Sequence, residues 1–263
     1  MESEFGSYSE RLRRASNGEN GESRRERTRA SLKLAALDLL RLSGLRKLTV
    51  TGVTRRASVA DGTFYIHFKV LDELVFEVLK EFLDHDVKPA VPWTGDEHPF
   101  DALRNAFLPM IRHFRANLLV FRAVHLLRGE DPRISAIWAE MCAKWARQFA
   151  HFEAHHNEPS DLDERLAIML GHAATSLFDE FTMRVYVDGA KDLAEFSNDD
   201  AKIAEAMAIF RYRLLLAKEP PIEKLDLMRP YFIRGKSGAA AESERRRGPA
   251  ESRRRKGARR AGL

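Results

Sequence analysis

The chain has 263 residues, 44% of them hydrophobic and 32% charged, with a formal net charge of +5. That composition is ordinary for a water-soluble globular protein and sufficient for one large domain or two modest ones. No run of 18 or more apolar residues occurs, which argues against a membrane span, and the single cysteine, Cys142, excludes an intramolecular disulfide framework and a cysteine-rich zinc site.

Residues 1–23 are rich in Gly, Ser, Asn and charge, and are expected to form a disordered N-terminal arm. They lack the apolar segment of a signal peptide, so a cytoplasmic location is expected. Residues 24–69 hold eleven Lys/Arg against three Asp/Glu. Residues 234–263 hold the same numbers in a low-complexity sequence that buries too little apolar surface to offset its chain entropy. That segment is expected to be a disordered basic tail. Residues 84–233 are acidic, with eighteen Lys/Arg against twenty-four Asp/Glu. A basic segment that also has a folding pattern points to a polyanionic partner.

Residues 25–43 place Leu32, Ala35, Ala36, Leu39 and Leu40 at helical spacing, and Gly44 fits a left-handed C-cap. Thr49 is a candidate N-cap for a short helix over 50–57. A second short helix is expected over 61–68. A longer one starts near Asp72, with Leu74, Val75, Val78, Leu79 and Phe82 on its apolar face. Pro89, Pro92, Gly95 and Pro99 then break the pattern. The expected division is a small N-terminal domain over 24–83 and a larger domain over 84–233. Further helices are expected near 100–117, 118–128, 133–156, 161–187 and 199–217. No alternating stretch bounded by hairpin turns is found, so the fold class is all-α.

Two short helices joined by Ser58, Val59 and Ala60 form a helix–turn–helix pattern. Val53, Ala57, Val59, Phe64 and Phe68 are spaced to face inward. Thr63, Tyr65, Ile66 and His67 are left on the outer side of the second helix, where they can meet phosphate oxygens or base edges. For Tyr65 the alternative is a half-buried aromatic with its hydroxyl in water, and for His67 an ordinary surface or core residue.

The stretch "LTVTGVTRRASVADGTFYIHF" resembles the DNA-binding signature of the TetR family of bacterial transcriptional regulators. The likeness extends back through "RASLKLAALDLLRLSGLRKL" and forward through "DELVFEVL", covering roughly residues 25–80. It implies an N-terminal three-helix DNA-binding domain followed by a larger helical ligand-binding and dimerisation domain. It further implies that Thr49 caps the second helix near phosphate. By the same likeness Thr63, Tyr65 and His67 contact the DNA backbone, and Gly62 permits close approach. Asp61 and Ile66, with Arg55 and Arg56 nearby, would then tune sequence preference. The partners implied are double-stranded DNA, a second copy of the chain and an unidentified small-molecule effector. The sequence departs from the signature in three places. Ser58 stands at the turn glycine, Asp61 puts an anion at the head of the recognition helix, and Leu71 stands where the family carries lysine. Lys69 is the candidate replacement for that lysine.

Beyond residue 100 the aromatic and Met residues are expected to form core, with a subset lining an apolar effector pocket. Asp179, Glu180, Arg184, His172 and His125 are the candidate polar contacts. Helices 161–187 and 199–217 are the expected dimer interface, with Ile203, Met207, Phe210 and Leu214 on one broad face. His151 and His155 lie at i, i+4 but lack the order and third ligand of a metal site. No phosphate loop, nucleophile elbow or acid pair is found, so neither an enzyme nor a bound cofactor or metal is expected. The rival to a regulator is an all-helical sensing or dimerising protein without specific DNA binding.

Overall fold

The computed structural model describes residues 7–87, 97–157 and 162–231, and every regular element among them is helical. The expected proline-rich break after residue 87 and the basic tail lie largely or wholly outside these residues. In chain order the helices are α1 (Ser7–Asn17), α2 (Arg24–Ser43), α3 (Val50–Arg56), α4 (Asp61–His67) and α5 (Leu71–Asp86). They continue with α6 (Pro99–Ala116), α7 (Leu118–Leu127), α8 (Pro132–His156), α9 (Glu164–Tyr186) and α10 (Asp200–Leu216). Residues up to Pro220 belong to one compact unit. A second begins at Pro221, where 3-10 turns form over Ile222–Lys224 and Arg229–Tyr231.

Local chemistry sets most helix starts. Ser23 accepts from the Glu26 amide while Glu26 returns a bond to the Ser23 amide, a complete capping box for α2. Thr49, Asp131, Asp163 and Asp199 cap α3, α8, α9 and α10 in the same sense, each satisfying an otherwise orphaned amide. Pro99 and Pro132 occupy first-turn positions, where the missing N–H costs nothing. Gly44 ends α2 with φ 72° and ψ 176°, a conformation that favours glycine.

The N-terminal arm departs from expectation: residues 7–17 form α1 instead of a disordered segment. Tyr8 and Leu12, four residues apart on one face, are buried in the apolar core. An eleven-residue helix has little stability alone. Here the tertiary structure supplies it, because the Tyr8 amide donates to the buried carboxylate of Asp86 at 2.7 Å. A carboxylate at a helix N-terminus also complements the helix dipole. Composition pointed to disorder because the anchor, Asp86, lies 78 residues away.

One apolar cluster runs from α1 through α5 and onward into Phe114, Phe121, Val124 and Ile134. The regions expected as two domains therefore share a core. Burying each of its large side chains contributes about 1.5–3 kcal/mol. The polar joint beneath this seam is equally long-range. Arg41 lies 3.8 Å from Asp86 and donates to Asn117 at 2.6 Å, and Asn117 in turn donates to the His113 carbonyl at 2.9 Å. Burial, then the charge of Arg41, pushes the His113 imidazole down to about 4.

In the helical region α8 pairs with α9, and α10 packs on α6 through Tyr212 against Phe100. Ile203 and Met207, expected on a dimer face, are instead buried within the protomer. The α8–α9 crossing is close because residue 171 is glycine. A Cβ there would lie 2.4 Å from the Ala146 carbonyl oxygen, backbone that cannot step aside.

Gly171→Ala is therefore expected to force the two helices apart and destabilise the protein by about 1–3 kcal/mol, read as a lowered denaturation midpoint; an unchanged midpoint would contradict the close crossing. The His113 shift fixes a pH dependence. Its folded pKa lies below the usual 6.5, so between pH 6.5 and about 4 the unfolded chain binds more protons. Stability is thus expected to fall as pH falls through that window, with His113 contributing about 2–3 kcal/mol of the loss. Urea titrations at several pH values should show a shallower slope for His113→Gln.

Candidate nucleic-acid interface

Helix α3 begins at Thr49, whose hydroxyl accepts from the Gly52 amide at 3.0 Å. It ends in a left-handed turn at Ser58, φ 57°. The Val59 amide bonds the Thr54 carbonyl at 3.0 Å and the Ser58 amide bonds the Arg55 carbonyl at 3.2 Å. These are the paired bonds of a Schellman ending, a place usually held by glycine. Ser58 takes the conformation at a cost of about 1 kcal/mol. The turn then presents α4, whose Phe64 and Phe68 are buried with ring centroids 5.7 Å apart.

Asp61, expected as a reader of sequence, has a different occupation. Its carboxylate accepts from Thr51 at 3.0 Å and from the buried Thr54, both on α3. It ties the two short helices together at the head of α4, and the bonds direct its charge toward α3. Arg56 is likewise committed, donating to Asp38 of α2 at 2.6 and 3.1 Å. That exposed pair contributes little stability, about 0–1 kcal/mol, yet it occupies the guanidinium in the free protein.

His67 corrects a second expectation. It is only 9% exposed, turned into the fold and away from the outer face of α4. Burial, then the neighbouring Arg29 and Arg25, lowers its pKa and favours the neutral ring. Helical spacing from Phe64 explains this: residue 67 is three positions on and shares the inward stripe. Arg29 of α2 closes the end of α4. It donates to the His67 carbonyl, stacks 4.1 Å from the Phe68 ring and pairs with Glu77 of α5. The Lys69 amide donates to Glu73 at 2.7 Å, fixing the step into α5 while leaving the Lys69 side chain exposed.

The outer surface therefore consists of Tyr65 and Ile66, 63% and 65% exposed, with Gly62, Arg55 and Lys69 exposed and Thr63 half-buried beside them. A Cβ on Gly62 would meet no atom within 4 Å, so nothing inside the protein requires glycine there. Arg25, close enough to His67 to lower its pKa, is an exposed cation that the motif did not single out. Its only sequence signal was membership of the basic segment.

A second feature lies in the helical region. A cavity of about 60 Å³ is lined by Met110, His113, Phe121, Trp138, Trp145 and Phe178 among others, with Asp179 at its wall. Asp179 is paired to His125 at 2.8 Å and Arg128 at 3.2 Å. Of the other polar candidates, Glu180 and Arg184 pair with each other on the surface at 2.8 Å, and His172 is exposed. Among the described residues no three His, Cys, Asp or Glu side chains cluster as a metal ion would need, and no helix is long and apolar enough to cross a membrane.

No family model and no curated protein matches the sequence. Solved structures do match the fold. A transcriptional regulator from Rhodococcus sp. Rha1 superposes with a TM-score of 0.55 at 18% identity, covering 69% of this chain and 96% of that one. A Rhodococcus sp. protein assigned to the TetR family of transcriptional regulators superposes with a TM-score of 0.53 over the same shares, also at 18% identity. The chain therefore has the all-helical fold of these regulators, as the resemblance of residues 25–80 implied.

Proposed function

We propose that the protein is a DNA-binding transcriptional regulator of the TetR type, acting as a dimer on a near-palindromic duplex and responding to a small molecule. The observation that carries this reading is the outer face of α4. Two large side chains, Tyr65 and Ile66, stand in water on a helix that is otherwise pinned by Asp61, Arg29 and a buried pair of phenylalanines. A rigid short helix with an exposed N-terminal face suits entry into the major groove.

The roles follow from chemistry. Thr49, Thr63, Tyr65, Arg55 and Lys69 supply donors for phosphate oxygens, which set register without reading sequence. Ile66 offers an apolar contact to a thymine methyl. Gly62 lets the backbone approach the duplex. Asp61 holds α3 and α4 at a fixed angle. The dimer surface is the stripe of α9 formed by Leu166, Met169, Ala173 and Leu177, with Phe210 of α10, all exposed in the protomer. The effector occupies the cavity between α6, α7, α8 and α9.

A second reading, a helical sensor without specific DNA binding, draws on Arg56 and His67. In the free protein Arg56 is engaged with Asp38 and His67 is turned inward, so two of the expected contact residues are not displayed on the outer face of α4.

Selection of duplexes from a genomic fragment library by the purified chain separates the two. The regulator reading expects a recurrent site with half-sites about one helical turn apart and affinity that falls steeply with salt; no enrichment over competitor DNA gives the second reading the field. On the selected site, Gly62→Ala is expected to keep or raise the denaturation midpoint, since alanine favours a helix by about 1 kcal/mol. The same change should weaken binding roughly tenfold, a loss of about 1.4 kcal/mol. Undiminished binding would show that no DNA backbone approaches Gly62.

A further inference from the structure

Arg211 of α10 heads the fully buried side chains among the described residues, 1% exposed. Its neighbours are aromatic: the guanidinium carbon lies 3.6 Å from the Phe149 ring centroid and 5.6 Å from that of Phe107. One hydrogen bond is made, from Nη2 to the Ala174 carbonyl at 2.9 Å. Nε and Nη1 are buried without an acceptor among the described residues. Burial lowers its pKa, to about 9, and no carboxylate among the described residues opposes that. A buried cation left unpaired is among the costliest arrangements a fold can hold, and the ring contacts offset only about 1–2 kcal/mol.

This charge sits directly behind the cavity wall. Phe107, over which Arg211 lies, stacks on Phe178 at 5.7 Å, and Phe178 lines the cavity. Ala174, the residue accepting from Arg211, precedes the cavity residue Thr175. Phe149 packs at 6.2 Å from Trp145, which also lines the cavity and carries a buried indole N–H without an acceptor among the described residues. The cavity, about 60 Å³, is well under the roughly 150 Å³ that accommodates benzene, so a ligand must displace side chains to enter. Met110 and Met141 in its wall repack easily.

We infer that Arg211 anchors an organic monocarboxylate whose apolar body fills the cavity, with the aromatic layer of Phe107, Phe149 and Phe178 parting to join the two. The inference rests on the reading of this cavity as the effector site. Each feature constrains the ligand. The apolar wall selects a hydrocarbon or aromatic body. The planar guanidinium, with Nε and Nη1 unsatisfied, matches the two oxygens of a carboxylate. A single uncompensated cation suits a monoanion, because His125 and Arg128 are already paired to Asp179 and His113 is held neutral. A phosphate dianion would leave one charge unopposed. The Trp145 indole N–H supplies a further donor for an oxygen atom of the ligand.

The test compares octanoate with octanamide, and phenylacetate with phenylacetamide, on the full-length chain. Binding is followed by tryptophan fluorescence, since Trp138 and Trp145 line the cavity, and by thermal shift. At least one acid is expected to bind about tenfold or more tightly than its amide, the scale of one charge-assisted bond. Arg211→Met is expected to fold with an equal or higher midpoint, as removal of an unpaired buried charge allows, and to bind acid and amide alike. Equal binding of acid and amide by the unaltered protein, or binding of neither acid, overturns the inference without any variant. Retained acid preference in Arg211→Met overturns it as well. The regulator reading fails separately. If the acid binds but no duplex is selected, the anchor stands and the regulator falls. If a duplex is selected but no acid binds, the reverse holds.

Discussion

The fold turns on a carboxylate with no access to solvent. Asp86, at the C-terminal end of α5, receives the first turn of α1 through the Tyr8 amide and faces Arg41 at the end of α2. Arg41 reaches on to Asn117, the residue where α6 gives way to α7, and Asn117 is bound to His113 at the cavity wall. A buried anion left unpaired costs several kcal/mol, so these elements hold one another in place or none is held. The apolar cluster that crosses the same seam adds bulk to a joint whose direction the polar atoms fix.

The helix–turn–helix hangs from this frame by charged side chains. Arg29 and Lys33 of α2 pair with Glu77 and Glu81 of α5, and Arg29 also grips the end of α4. Inside the motif, polar residues do work that family likeness would assign to DNA. Asp61 spans α3 and α4 through two threonines, and Arg56 returns to α2. The surface left over is smaller than the motif suggested and more apolar, with Tyr65 and Ile66 at its centre. Rigidity at such a surface lowers the ordering cost of binding, a cost that would otherwise subtract directly from affinity.

The helical region repeats the logic with opposite sign. At the cavity the Asp179 carboxylate is held by His125 and Arg128, and on the surface Glu180 pairs with Arg184. Against that balance the isolation of Arg211 among phenylalanines stands out as the one large electrostatic deficit in the core of the described residues.

The sequence alone determined the elements that local physics governs. Apolar spacing placed α2 to α10 within a few residues of their ends, because helical periodicity is written in neighbours. Thr49 marked a helix start, since capping acts over three residues, while the caps Ser23 and Asp131 follow the same rule but were seen only in the structure. The two-helix motif was legible for the same reason, while the turn position of Ser58 came from the likeness to the family signature and its left-handed backbone from the structure. What only tertiary structure decided was the fate of side chains whose partners lie far away in the chain. Residues 7–17 looked disordered because Asp86 is 78 positions distant. His67 was assigned outward by likeness to the signature, although its spacing from Phe64 already put it on the inward stripe. Ile203 and Met207 looked like a dimer face until packing of α10 within the protomer buried them. Arg211 carried no signal at all, because an arginine on a helix is ordinarily in water, and its burial depends on where four helices meet.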